Sequence, residues 1–312
     1  MKDSPNQMLS RPDWFSEDSN DDRLPLHNNV CIDSTLQQKT QDLLHLFNVR
    51  ELYSYAEQHN IYRIISDYHE VSIKNISIGL GATEIINRLI YLARKEKIVI
   101  VSPTFEMVEV YCKIYNVEYI NKNYTDFNIF NIDQIPPGCV VYVANPNGNN
   151  GHTFNRSEII NLIKKSKQVL LDESYIDYSI KPSFLDSIGR YSNLVIINTL
   201  SKSLGLAGIR CGYCFGATKT IKAIQNIRMN YVATGITEYL VKNLIYEIQG
   251  TVNRMIDTRV YLEQKFDSIP SAGNYCLLRG CQEKFSFCKY KTVGDDIIRV
   301  TLADKEIFVN EI

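Results

Sequence analysis

Five short segments of the 312-residue chain hold the side chains best suited to chemistry: Gly79–Glu84 (GLGATE), Ser102–Phe105 (SPTF), Asn145–Gly151 (NPNGNNG), Asp172–Tyr175 (DESY) and Thr199–Gly212 (TLSKSLGLAGIRCG). The last says most. Lys202 follows an apolar run, sits between Ser201 and Ser203 in a Gly- and Ala-rich stretch, and has Arg210 eight residues on. A lysine that leaves a buried strand can be desolvated, and its amine is then a nucleophile toward aldehydes. The hydroxyls of Thr199 and Ser201, with the Arg210 guanidinium, suit a phosphate. Asp172 ends another apolar run, where a carboxylate needs a cationic or hydrogen-bond-donating partner. A protonated pyridine nitrogen would be one.

Each of these segments must be held by an element before it. Ile98–Val101, Val117–Ile120, Val140–Ala144, Val169–Leu171 and Leu194–Asn198 are short continuous apolar runs that read as buried strands. Glu84–Lys95, Glu106–Tyr115 and Ser157–Lys167 lie between them with helical spacing of apolar residues. Strands alternating with helices predict crossover units and a mostly parallel sheet covered on both faces. In such sheets ligands sit beyond the carboxyl ends of the strands, where these segments fall. TLQQKTQDLLHLFN (35–48) reads as one short helix, and 217–248 and 252–265 as two long ones. Tyr275–Leu278 and Ile297–Thr301 read as strands of a small α+β lobe, and residues 1–25 as a flexible polar arm.

Composition removes several functions. Lys+Arg 34 against Asp+Glu 35 gives a net charge of -1, with no basic excess for a nucleic-acid partner. No apolar run approaches the roughly 18 residues of a membrane span, and the polar N-terminus does not read as a secretory signal. A cytoplasmic protein is expected. The eight cysteines are scattered. Cys211 and Cys214 form a C-x-x-C without a second pair or a nearby histidine, and as strand residues in RCGYCFG they read as small buried hydrophobes rather than metal ligands. The five histidines show no ligand spacing; His27 alone lies near a plausible substrate wall.

With these segments in this order, each after an expected strand, the sequence resembles fold-type I pyridoxal-phosphate enzymes of the class I/II aminotransferase group, and within it histidinol-phosphate aminotransferases and threonine-phosphate decarboxylases. The resemblance runs from about Asn28 to the C-terminus and is strongest in TLSKSLGLAGIRCGY, with DESYIDY and NPN…G before it. It implies an α/β fold of the type I class: a mostly parallel central sheet flanked by helices, plus a small α+β lobe. The large cofactor domain would span 46–245, and the small one 26–45 with 246–312. The resemblance further implies pyridoxal 5'-phosphate as cofactor, a small amino-acid or amine substrate, and a homodimer. On it, Lys202 would bond the cofactor aldehyde, Asp172 would pair with the ring nitrogen, and Tyr175 and Asn147 would contact the ring hydroxyl. Phe105 would stack on the ring. Gly81, Ala82, Thr83, Thr199, Ser201 and Arg210 would form the phosphate cup, with Tyr55 reaching the neighbouring subunit's phosphate. Arg299, in IIRVTL, would fork onto the substrate carboxylate, and Asn28 would line the substrate.

The departures fall on the substrate side. The family loop NPNNPTG is NPNGNNG here, so Gly148 stands where many relatives have a second Asn; the segment Asn-Glu-Asn-Pro is His27-Asn28-Asn29-Val30. A second substrate-binding arginine is not evident in the short tail, where Lys289 or Lys291 could replace it as a point charge. The leading functional reading is an aminotransferase. A decarboxylase of an amino-acid phosphate, and a non-catalytic pyridoxal-phosphate-binding protein, are the alternatives.

Overall fold

The computed structural model describes residues 21–123 and 134–312. Residues 1–20 of the expected arm lie outside the described residues. A two-residue strand, β1 (Leu24–Pro25), precedes helix α1 (Ser34–Leu46). The Asp33 carboxylate caps α1 by accepting the Leu36 N–H at 3.2 Å, and Arg254 pairs with it at 2.6 Å. Helix α2 (Gln58–His69) leads into the central sheet.

Among the described residues that sheet has seven strands: β2 (Ile76–Leu80), β3 (Ile98–Ser102), β4 (Tyr119–Asn123), β5 (Val140–Ala144), β6 (Gln168–Asp172), β7 (Leu194–Thr199) and β8 (Cys211–Gly216), in the order β2-β8-β7-β6-β5-β3-β4. Only β8 runs antiparallel to its neighbours. The inner strands are mostly apolar because both faces are covered, whereas the edge strand β4, YINKN, is polar and partly exposed. Val99, Val101, Val141, Val143, Val169 and Leu171 belong to one core, and Ile98, Ile100, Val140, Tyr142 and Leu170 to the other. Helices α3 (Gly81–Leu92) and α4 (Met107–Ile114) fill the second core, while α5 (Arg156–Lys165) packs into the first. Cys211 and Cys214, three apart on a strand, fall into opposite cores. On opposite faces of the sheet they cannot act together on one ion, and burial pushes both thiols up to about 12.

The short helix α6 (Leu200–Ser203) follows β7 directly. Beyond β8 the structure corrects the expectation of one long helix over 217–248: it is two, α7 (Thr218–Asn226) and α8 (Gly235–Leu244). The Gln58 side chain of α2 accepts the backbone N–H groups of Val232 and Ala233 at 3.0 and 3.2 Å, which a helix would have used itself. The Thr234 hydroxyl then caps α8. Helix α9 (Ile248–Lys265) is continuous.

The tail forms β9 (Ser268–Ile269), β10 (Tyr275–Arg279), β11 (Cys288–Lys289), β12 (Lys291–Gly294), β13 (Ile297–Thr301) and α10 (Lys305–Glu311). An antiparallel sheet runs β12-β13-β10-β9, and β11 pairs with β1. Ile298 and Val300 enter the core of the first face. Alternation along β13 therefore turns Arg299 and Thr301 the other way, toward Tyr175, Tyr275 and Leu277. Among the described residues no helix is long and apolar enough to cross a membrane.

Candidate active site

Register brings the motif ends to one edge of the sheet. Ala144 is level with Asp172, Leu80 with Cys211, and Thr199 with Gly212. Asp172 is buried; its Oδ2 accepts the Tyr142 hydroxyl at 2.5 Å, and its Oδ1 accepts the Ser174 N–H and hydroxyl at 3.0 and 2.6 Å. All three contacts are donors, the complement of an acceptor-only carboxylate. Burial, and then the Asp172 charge, hold the Tyr142 phenol well above its ordinary range, so it stays a donor.

Lys202 lies on α6, one strand over. Its Nζ donates to the carbonyls of Asn29 and Asn28 at 3.0 and 3.4 Å and stands 5.6 Å from the centre of the Tyr175 ring. Thr199 caps α6: its oxygen accepts the Ser201 N–H at 3.2 Å, lies 3.1 Å from Ser201 Oγ, and its hydroxyl is 2.9 Å from the Cys211 carbonyl.

Across β8, Gly81 takes φ +77 and opens α3, whose N-cap residue, Leu80, gives no side-chain hydrogen bond. A Cβ on Gly81 would stand 2.4 Å from an Arg210 guanidinium nitrogen, and one on Gly212 would stand 2.2 Å from the Gly81 carbonyl carbon. Two glycines thus let the guanidinium lie on the helix start. Arg210 donates to the carbonyls of Ala207 and Leu80 at 3.0 and 3.3 Å. The first-turn acid, Glu84, is turned back onto Arg88 at 2.8 Å, leaving the start of α3, with Ala82 and Thr83, electropositive.

Arg299 is 6% exposed. It donates to the Gly148 carbonyl at 3.1 Å, and more distantly to Asn149 Oδ1 and the His27 carbonyl at 3.4 Å; its Nε has no partner among the described residues. Asn147 braces its own loop: Nδ2 donates to the Pro103 carbonyl at 2.7 Å and Oδ1 accepts the Asn149 N–H at 2.8 Å. Phe105, 39% exposed, stands before α4. Tyr55 is not brought to these groups; it is 76% exposed and stacks on Tyr231 with centroids 4.0 Å apart. Asn28 reaches Lys202 only through its carbonyl, and its side chain is exposed. A cavity of about 580 Å³, lined by Leu89, Val140, Gln168 and Asn193, lies at the opposite edge of the sheet and holds none of these residues.

The model of the family described as aminotransferase class I and II matches residues 24–309. The chain belongs to that family. A histidinol-phosphate aminotransferase of Buchnera aphidicola subsp. Cinara cedri is 28% identical over 300 residues, 89% of this chain and 84% of that protein. The histidinol-phosphate aminotransferase of Sinorhizobium meliloti, solved with pyridoxal-5'-phosphate, superposes with a TM-score of 0.75 at 16% identity, covering 92% of this chain and 88% of that one. The L-threonine-O-3-phosphate decarboxylase of Porphyromonas gingivalis does so with a TM-score of 0.74 at 17% identity, covering 92% and 96%.

As a class I and II aminotransferase the protein is a pyridoxal-phosphate-dependent enzyme, and its residues fit that group. The glycine-lined start of α3 with Arg210 suits a phosphate, Lys202 offers an amine held, among the described residues, by backbone carbonyls, and Asp172 offers a buried acceptor at the adjacent strand end. Two residues of this aminotransferase site were missed in the sequence. Tyr142 is the one polar side chain of the run VVYVA, a signal that was there to be read. Asn29, adjacent to Asn28, turns its side chain inward, which a sequence without periodicity does not reveal.

Next to Asp172, Glu173 is fully buried, accepts the Phe184 N–H at 2.9 Å and the Ser183 hydroxyl, and is raised to about 7 by burial. A carboxyl whose folded pKa exceeds its unfolded value favours folding fully below the unfolded value, near 4.5, and that contribution is lost as pH rises through about 7. The loss is at most about 3 kcal/mol. Glu173→Gln should therefore raise the melting temperature at pH 8 by several degrees and change it little at pH 5. Equal shifts at both pH values in a thermal melt would refute this.

Proposed function

We propose that the protein transaminates a small amino acid or amine, one bearing a phosphate or a similar anion, with Arg299 receiving a substrate carboxylate. The observation that carries this is Arg299 itself: a buried guanidinium whose contacts are carbonyl oxygens, with Nε unpartnered among the described residues. A buried cation of this kind calls for an anion. Tyr275, 5.3 Å beneath it, keeps the guanidinium plane in place while its own hydroxyl donates to the Asn147 carbonyl at 2.9 Å.

Bound at the strand ends, pyridoxal phosphate supplies an electron sink that loosens the bonds to a substrate Cα. In this reading Arg210, Ser201 and Thr199, with Gly81, Ala82 and Thr83 at the start of α3, hold the phosphate. Asp172 holds the ring nitrogen's proton, Tyr175 donates to the ring oxygen, and Phe105 covers the ring face. Lys202 Nζ, once released, carries the proton at the substrate Cα. Asn147 holds the loop beside the ring, and Asn28 stands at the substrate entrance. The cofactor domain is 46–245; the small domain is 26–45 with 246–312.

The test is a panel of phosphorylated amino acids and amines, with keto product and CO₂ measured together. Keto product without CO₂ supports transamination. CO₂ release identifies the decarboxylase alternative, and neither product from any member favours a non-catalytic binder. Arg299→Lys loses the two-pronged fork and should lower kcat/KM by one to three orders of magnitude, with affinity for pyridoxal phosphate unchanged. Parent-like kcat/KM for Arg299→Ala would place the carboxylate elsewhere.

We also read the chain as a cytoplasmic homodimer. Val49, Leu52, Tyr53 and Tyr55 of one segment and Met229 and Tyr231 of another are exposed, and the Tyr55–Tyr231 stack joins the two segments; exposed apolar groups of this kind are ones that partners cover. From it Tyr55 would reach the neighbouring phosphate. Chains with Lys202→Ala and chains with Tyr55→Phe, each impaired alone, should regain activity when mixed; a monomeric mass with full activity would refute the shared site.

A further inference from the structure

Gly148 and Asn29 meet at Tyr175. A Cβ on Gly148 would lie 2.6 Å from Tyr175 Cε2, 3.1 Å from Cζ and 3.2 Å from the hydroxyl oxygen. The edge of the tyrosine ring therefore occupies the space that any side chain at 148 would need. The carbonyl of the same residue accepts Asn29 Nδ2 at 3.1 Å, and the second hydrogen of that amide goes to the Tyr175 oxygen at 2.9 Å. Because the Gly148 carbonyl only accepts, the orientation of the Asn29 amide is settled. Asn29 is buried and takes φ 53, which asparagine tolerates. Its backbone is held on both sides: the N–H donates to Thr301 Oγ1 at 3.0 Å, and the carbonyl accepts Lys202 Nζ at 3.0 Å and Asn274 Nδ2 at 2.9 Å.

A hydroxyl oxygen that accepts an N–H must aim its own hydrogen elsewhere. No acceptor for the Tyr175 hydrogen lies within hydrogen-bond distance among the described residues. The charged and titratable groups around the ring are Lys202, 5.6 Å from its centroid, Tyr275, edge-on at 6.2 Å, Asp172 at the end of β6 with the Tyr142 hydroxyl bonded to it, and Arg299 across Gly148. We infer that Asn29 is a positioning residue: with Gly148 clearing the space, its amide fixes the Tyr175 hydroxyl as a donor toward the ring oxygen of the cofactor. The inference rests on the cofactor reading above.

A hydrogen bond donated to that oxygen favours the form in which the oxygen carries the charge and the lysine-linked nitrogen has lost its proton. Weakening it should raise the pH at which the visible absorption of the lysine-bound cofactor changes. Asn29→Gly removes the amide and accepts the same backbone angle. In the holoenzyme it should raise this midpoint by roughly half a unit to one unit. Tyr175→Phe should raise it at least as far, and the double variant should match Tyr175→Phe alone. Gly148→Ala, which displaces the ring edge while Asn29 stays intact, should shift the midpoint in the same direction and tests the clamp if Asn29→Gly does not fold. An unchanged midpoint in a folded Asn29→Gly or Gly148→Ala holoenzyme overturns the inference, as does a shift that persists in the Tyr175→Phe background. A parent protein with no lysine-linked absorption band defeats the cofactor reading instead.

Discussion

Lys202→Ala should take up pyridoxal phosphate without a covalent bond and lose turnover by about 10²–10⁴-fold or more, the contribution of one positioned proton-transfer group. The amine is fit for the role because, among the described residues, it is held by two backbone carbonyls and no carboxylate, so release from Asn28 and Asn29 breaks no ion pair with them. The short α6 keeps it in place, with Thr199 as the cap. Borohydride reduction of the parent protein, followed by peptide mapping, should find the reduced cofactor on Lys202. Label on any other lysine overturns the assignment.

Asp172→Ala should cut turnover by about a hundredfold or more. Removing one partner of a buried charge pair costs about 3–5 kcal/mol, and each 1.36 kcal/mol is tenfold in rate. The variant has a second consequence, because the hydroxyl of the fully buried Tyr142 donates to Asp172. Stranding that hydroxyl costs roughly 1–3 kcal/mol of stability, readable in a denaturant melt. Asp172→Asn keeps an oxygen for Tyr142 but turns its NH2 toward the Ser174 N–H, so it should recover only part of the stability, and no turnover. Near-parent turnover in Asp172→Ala would show that the ring nitrogen has another partner.

The sequence by itself determined the parallel sheet and the motif ends that face one another across it. Both are written locally: a continuous apolar run such as VVYVA or IVIV is a buried strand whatever surrounds it, and the residue after it emerges at the sheet edge. The places of Lys202 and Asp172 at the sheet edge were legible for this reason. Tertiary structure decided what depends on distant chain. The segment 217–248 has helical composition, yet Gln58 takes the N–H groups of Val232 and Ala233 and splits it. Asn28 and Asn29 are the same residue type side by side. Which one enters the site is settled by Thr301, 272 positions away, and by Tyr175, 146 positions away. The glycine at 148 reads as a flexible loop residue in the sequence; only the packed Tyr175 ring shows it to be a space requirement. Hydrogen-bond partners so far apart in the chain leave no periodic trace, because their geometry comes from the register of whole sheets rather than from the spacing of neighbours.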